Sequence, residues 1–279
     1  MNKLFVIILL NICFLVAQEE TLEDFFKISQ EKLKKYSLAE LTGLDPVQEK
    51  VSLEWISKDI KINPDLYLFL NHLSHLSLTQ AKALAQWKGS SLFLDGIQEL
   101  DEATAKELAQ WQGRWLYLNG IKQADETTAK MLAQWQGDGL YLNGIEKLDE
   151  STAKALALRQ GIGLFLDGIQ ELDESIAKVL AQWKGSGLSL DGIQELDEAV
   201  AKALAQWKGS SLSLNGLQLL NEVTAKALAQ WNGERLYLNG IKQIDESVAK
   251  ALAQMKGKYF CLNGIKQIDE SVAKALAQW

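Results

Sequence analysis

The chain has 279 residues and a formal charge of -7, from 29 lysines and arginines against 36 aspartates and glutamates. That balance disfavours a nucleic-acid partner, because gripping a phosphate backbone takes clustered cations that displace its counterions. Hydrophobic residues make up 47% of the chain, enough for a sizeable core, and their order shows what kind of core it is.

The chain begins MNKLFVIILLNICFLVAQEE, with Lys3, an apolar run from Leu4 to Val16, and the small Ala17 before polar sequence starts. This is the pattern of a secretory signal peptide over residues 1–17, cleaved after Ala17. The apolar run is too short for a membrane span, which takes about 20 residues to cross a bilayer core of roughly 30 Å. A buried N-terminal helix and a lipid on Cys13 are the competing readings, and Ile12 argues against the lipid because the residue before such a cysteine is normally small. The expected destination is secreted, periplasmic or cell-surface. Cleavage would leave Cys261 as the one thiol, so no internal disulfide could form even in an oxidising compartment.

Residues 18–67 carry an expected helix from about Leu22 to Tyr36, an Asp45-Pro46 turn and a segment around Trp55, and are read as an N-terminal cap, largely helical. A repeat array follows over residues 68–279. Trp87, Trp111, Trp135, Trp183, Trp207, Trp231 and Trp279 fall at multiples of 24 residues, with Arg159 and Met255 in the two vacant slots. A period of this size signals a solenoid. Nine units result, with strand cores starting at Leu68, Leu92, Leu116, Leu140, Leu164, Leu188, Leu212, Leu236 and Phe260.

In the unit LFLDGIQELDEATAKELAQWQG, Leu92 and Leu94 alternate with Phe93 and Asp95, the period-two pattern of a strand with one buried face. Asp95-Gly96 turns the chain, the glycine serving a positive φ or a close approach. Ile97 and Leu100 point inward, and Asp101 caps a helix whose first turn carries Glu102. The helix is expected to reach about Trp111, with Gly113 as its C-terminal cap. Glu102 and Lys106 stand four apart as an exposed pair, while Ala105 and Ala109 let neighbouring helices approach closely. Strands stack about 4.8 Å apart and helices need about 10 Å, so the stack curves with the strands on its concave side.

These units resemble the leucine-rich repeats, and more narrowly the short bacterial kind reading LxLxGIxxLxDExxAxALA. They are also similar to the GALA-type repeats of bacterial effectors, without the F-box-like segment that would support that role. The resemblance implies a horseshoe of parallel strands with helices on the convex face, used as a general binding scaffold. The Ile97 column stands where many leucine-rich repeats carry a buried asparagine ladder.

Catalysis needs unlike groups converging in one pocket, whereas a repeat spreads like groups along a line, so no enzyme, cofactor or metal is expected. His72 and His75 lie in the degenerate first unit and read as tolerated loop residues rather than ligands. The column Asp95, Asn119, Asn143, Asp167, Asp191, Asn215, Asn239 and Asn263 offers oxygen ligands suited to calcium, but one per unit, and turn chemistry accounts for it. The recurring Asp101 and Glu102 pair is explained by capping.

The outward strand column reads Phe69, Phe93, Tyr117, Tyr141, Phe165, Ser189, Ser213, Tyr237 and Cys261, and beside it stand Tyr67, Ser91, Trp115, Gly139, Arg235 and Tyr259. Variation on a fixed scaffold points to recognition, and the aromatics form an exposed patch of the kind that marks binding sites. The candidate ligand-binding residues are therefore Phe69, Phe93, Trp115, Tyr117, Tyr141, Phe165, Tyr237 and Tyr259, for a protein or glycan partner. Cross-strand packing that only stabilises the sheet is the competing reading. The Trp111 column, at the helix ends, is expected to pack between units. Two alternatives to a binding module are self-association into a structural or surface-layer protein through an uncapped C-terminal end, and a repeat region belonging to a longer protein.

Overall fold

The computed structural model of the chain describes residues 67–279, a solenoid of nine strand and helix units. The expected signal peptide at 1–17 and the cap region through residue 66 lie outside the described residues. In order, the elements are β1 (Tyr67–Phe69), α1 (Leu78–Ala85), β2 (Ser91–Phe93), α2 (Glu102–Leu108), β3 (Trp115–Tyr117), α3 (Glu126–Ala133), β4 (Gly139–Tyr141), α4 (Glu150–Ala157), β5 (Gly163–Phe165), α5 (Glu174–Leu180), β6 (Gly187–Ser189), α6 (Glu198–Leu204), β7 (Ser211–Ser213), α7 (Glu222–Leu228), β8 (Arg235–Tyr237), α8 (Glu246–Leu252), β9 (Tyr259–Cys261) and α9 (Glu270–Leu276).

The strands form one open parallel sheet in sequence order. Each residue pairs with its equivalent one unit on, as Leu92 with Leu116 and Phe93 with Tyr117. Identical patterning in every unit leaves no other register that buries the leucines. Leu92, Leu94, Ile97, Ala105, Leu108 and their equivalents fill a core between the sheet and the helices, with Ala249, Val272 and Ala275 forming a small separate cluster at the last helix. Each buried leucine contributes roughly 1.5–3 kcal/mol. Among the described residues no helix is long and apolar enough to cross a membrane.

Helix starts follow the expected chemistry. Asp101 accepts a hydrogen bond from the Thr104 amide at 2.7 Å, and the aspartates of later units do the same. Glu–Lys pairs four residues apart lie on every helix from α3 to α9. All are exposed and so add only a few tenths of a kcal/mol each.

Helix ends differ from expectation. The helix of the second unit stops at Leu108, with Ala109 as its C-cap, rather than running to Trp111. The Trp111 amide instead donates to Leu108 O at 3.0 Å, a tighter turn that swings the indole beneath the following loop. Gly113 is consequently not the helix cap. A Cβ there would lie 1.9 Å from Trp111 Cζ2, so this glycine makes room for the indole. Gly96 serves close approach as well, since its Cβ would meet Asn71 O at 2.1 Å.

The Asp and Asn column does more than turn the chain. Asp95 Oδ1 accepts from the Asn119 amide, Asn119 Oδ1 from the Asn143 amide, and so on to Asn239 Oδ1 and the Asn263 amide, all near 3.0 Å. An inter-unit side-chain ladder therefore exists in this outward column, two residues before the buried isoleucine column. Aspartate and asparagine serve equally because only an oxygen acceptor is needed.

A second ladder runs through the tryptophans. The indoles of Trp87, Trp111 and Trp135, and of Trp183, Trp207 and Trp231, stack nearly parallel with centroids 5.5–6.0 Å apart. Trp135 Nε1 donates to Trp111 O at 2.9 Å, and Trp207 Nε1 to Trp183 O likewise. Packing between units is thus the role of this column, as expected.

Candidate binding face

The sheet's open face carries three outward columns, because residues two apart on a strand project the same way. The middle column forms a continuous stack. Phe69, Phe93, Tyr117, Tyr141 and Phe165 lie face to face with successive centroids 4.3, 4.1, 4.1 and 3.9 Å apart. These steps are shorter than the roughly 4.8 Å between strands, while the indoles across the core step 5.5–6.0 Å. Spacing that contracts on the open side and widens on the far side means the array bends with this face inside. The aromatic stripe is concave.

Face-to-face contact also means that the inner rings cover one another. Phe93, Tyr117, Tyr141 and Phe165 are half-buried and present edges rather than faces. Burial pushes the Tyr117 phenol well above its ordinary range, an effect increased by the hydrogen bond it donates to Tyr141. Burial likewise raises Tyr141, against the lowering effect of that same bond. Both phenols are neutral at physiological pH.

The flanking rings are more open. Tyr67 and Tyr259 are 60% and 56% exposed. Trp115 tilts against Tyr141 with centroids 6.3 Å apart and lies across Gly139, where a Cβ would come within 2.3 Å of its ring. Phe165 leans over Gly163 in the same way, at 2.7 Å. Glycine at these outward positions clears space for the neighbouring rings. Tyr237 makes no ring contact among the described residues and stands beyond two serines that interrupt the column.

Of the eight expected site residues, six thus share one concave surface: Phe69, Phe93, Tyr117, Tyr141 and Phe165 as a stack, with Trp115 as its wing. Tyr237 and Tyr259 stand apart on β8 and β9, where Arg235 places its guanidinium 6.0 Å from the Tyr259 ring centre. His72 and His75 are exposed in the turn after β1. No group of three or more His, Cys, Asp or Glu side chains among the described residues is arranged to hold a metal.

One residue escaped the sequence reading. Arg159, in a tryptophan slot, is completely buried, with its guanidinium 5.1 Å from the Trp135 ring centre. Its Nη2 donates to Gly137 O at 2.6 Å and Nη1 to Gly163 O at 3.3 Å, while Nε has no acceptor. Desolvation lowers its pKa to about 10, with Asp138 acting in the opposite sense, so it carries its charge at neutral pH. A charged group in a column otherwise of tryptophan and one methionine is the visible signal.

The chain matches no protein-family model, and no curated protein is significantly similar to it.

Proposed function

We propose that this chain is an extracytoplasmic, non-catalytic recognition module of the leucine-rich-repeat type, binding a protein or glycan through the concave aromatic face of its sheet. The observation that supports this best is the unbroken aromatic surface over five adjacent strands, widened by Trp115 over a glycine floor. Core packing does not require large rings on the solvent side of a sheet. Contiguous aromatics there have the character of interface anchors.

The test substitutes the flanking rings rather than the stacked ones. Tyr67, Trp115, Tyr237 and Tyr259 changed together to Ala should abolish capture in pull-down and glycan-array assays with little change in melting temperature. Lys106, Lys130 and Lys154 changed to Ala on the helical side should leave capture intact. Loss of binding in the lysine variant alone would move the functional face to the helices. The export half of the reading expects mature protein starting at Gln18 and free of lipid, and mass spectrometry showing Met1 or a diacylglycerol on Cys13 would refute it.

A further inference from the structure

The loops that join each helix to the next strand line up along one edge of the solenoid. Their backbones form a ladder of their own, in which the last residue of each loop donates its amide to the carbonyl of its equivalent one unit earlier. The ladder runs from Arg114 and Ser90 to Lys258 and Glu234, with bonds of 2.7–2.9 Å. In the loop after α4, Leu158, Gln160 and Ile162 are exposed while Arg159 between them is buried, and the other loops alternate in the same way. First, third and fifth side chains of each loop therefore make up the surface of this edge, at a fixed spacing.

That surface is polar at every loop but one. The first position is glutamine in all the other units and the fifth is serine or a charged residue, yet the loop after α4 carries Leu158 and Ile162, 71% and 51% exposed. Arg159 fixes this loop from beneath, donating to Gly137 O in the preceding loop and to Gly163 O at the next strand. An exposed apolar pair, rigidly held and rimmed by polar groups, has the character of an interface centre. Its position suits that role. Three such loops precede it and four follow it among the described residues, so the pair lies near the middle of the edge.

We infer that this edge takes a second copy of the same chain, the two packing edge to edge about a two-fold axis through the Leu158–Ile162 loop. In such a contact the apolar pair meets its own equivalent and the other loops meet in reverse order. An axis along the radius of the arc lays one curved edge upon the other, so the bend does not separate them. The charges favour this register. The loop with Asp138 faces the loop with Lys184 of the partner subunit, and the loop with Lys88 faces the one with Glu234 of the partner subunit, so opposite charges meet in both. Arg114 and Lys208 are the one like-charged facing pair, and Arg114 is already bonded to Asp138 at 2.6 Å. Moving the axis one loop either way sets Asp138 or Lys184 against its own copy, a like-charge contact that opposes association. Most of the remaining facing residues are glutamines, which donate and accept and so suit their own kind. The seven loops from 86–90 to 230–234 can all take part. With three surface side chains each, they reach the roughly 20–30 residues that a stable interface uses on each side. None of these loop residues is a ring of the sheet face, so the inference is independent of what that face binds.

The experiment is sedimentation equilibrium of the exported chain over a hundredfold range of concentration, where a monomer–dimer equilibrium is expected. Leu158→Gln combined with Ile162→Ser restores the residue types of the regular units. It should weaken dimerisation tenfold or more and leave the melting curve unchanged. Lys184→Glu, which sets a like charge opposite Asp138, should weaken it as well. A second measurement locates the axis. Ile162→Cys in a chain with Cys261→Ser places one thiol beside its own equivalent, and oxidised glutathione should join the copies through a disulfide. Ser90→Cys in the same background, on the same edge but far from the axis, should stay uncrosslinked. The inference is overturned if the chain is monomeric throughout, if the double variant dimerises as the parent does, or if Ser90→Cys crosslinks as readily as Ile162→Cys. A dimer lost in the four-ring variant but kept in the double variant would put the contact on the sheet face and overturn it equally.

Discussion

Replacing Tyr141 with Ala separates the structural share of the aromatic stripe from its recognition share. The ring lies between Tyr117 at 4.1 Å and Phe165 at 3.9 Å and touches Trp115 at a tilt. Each stacked pair is worth about 0.5–1.5 kcal/mol beyond area burial, so two broken stacks cost roughly 1–3 kcal/mol. Exposing apolar surface on the half-buried ring adds about 1 kcal/mol. A total of roughly 2–4 kcal/mol should lower the melting temperature by about 4–16 °C in a domain of this size. Tyr237 has no ring neighbour among the described residues, and its alanine variant should lose less than about 1 kcal/mol. Urea midpoints and thermal melts of the two variants decide the matter. Equal, small losses would show that the stack contributes no stability and that the rings stand as independent surface groups.

Other consequences concern the scaffold. Arg159→Trp would join the indole runs on either side of it, adding two stacking contacts and an Nε1 donor while removing a buried charge whose Nε lacks an acceptor. After loss of the two guanidinium bonds to carbonyls, a net gain of about 1–2 kcal/mol and a melting temperature higher by roughly 2–8 °C should appear by circular dichroism; a lower melting point would refute this account. Donation from helix amides holds the capping aspartates, among them Asp125, Asp149, Asp245 and Asp269, below their ordinary pKa. Their contribution is therefore present above the ordinary carboxylate range and is lost as pH falls through the depressed folded values. Changing them all to Asn, the residue that caps α7 as Asn221, should flatten that acid loss in urea melts between pH 7 and 3. Deleting the 24 residues Leu164–Gly187 should leave a cooperative, folded array, whereas deleting the 12 residues Leu164–Ser175 should unfold it, because only the first keeps each unit in register with the next.

Strand positions, helix starts and the packing role of the tryptophans were legible because each repeats against a fixed 24-residue period. What the period could not show was how equivalent side chains meet across units. Alternation places Tyr117 and Tyr141 on the open face, but it does not distinguish rings that project separately from rings that cover one another at 4.1 Å. Gly113 looked like a helix cap because glycine commonly follows a helix, yet its need arises from the Trp111 indole, a contact that depends on a turn closing early at Leu108. The Asp95 column was read within one unit as turn chemistry, although its main acceptor role is to the unit that follows. A usable signal did exist for the binding face. Gly139 and Gly163, on the open side of short strands, mark places where a large neighbour lies on the backbone.

The departures from the repeat are not scattered, and their clustering bears on where recognition occurs. The fourth full-length unit carries Leu158, Arg159 and Ile162 where other units have glutamine, tryptophan and mostly polar residues, and Leu158 and Ile162 are 71% and 51% exposed. Arg159 Nη1 donates to the carbonyl of Gly163, the residue over which the Phe165 ring leans, and Phe165 is the last ring before Ser189 interrupts the column. A change on the helix-end side of the core is therefore bonded directly to the strand that carries the last ring of the stack. Packing alone gives no reason for a buried guanidinium to replace an indole, since the indole stacks equally well and its Nε1 finds a carbonyl. An indole has one N–H donor, whereas the guanidinium reaches the Gly137 and Gly163 carbonyls together. That second bond pins β5 at the point where the aromatic stack ends, so the irregular unit holds the boundary between the stacked stripe and the serines that follow it in the column.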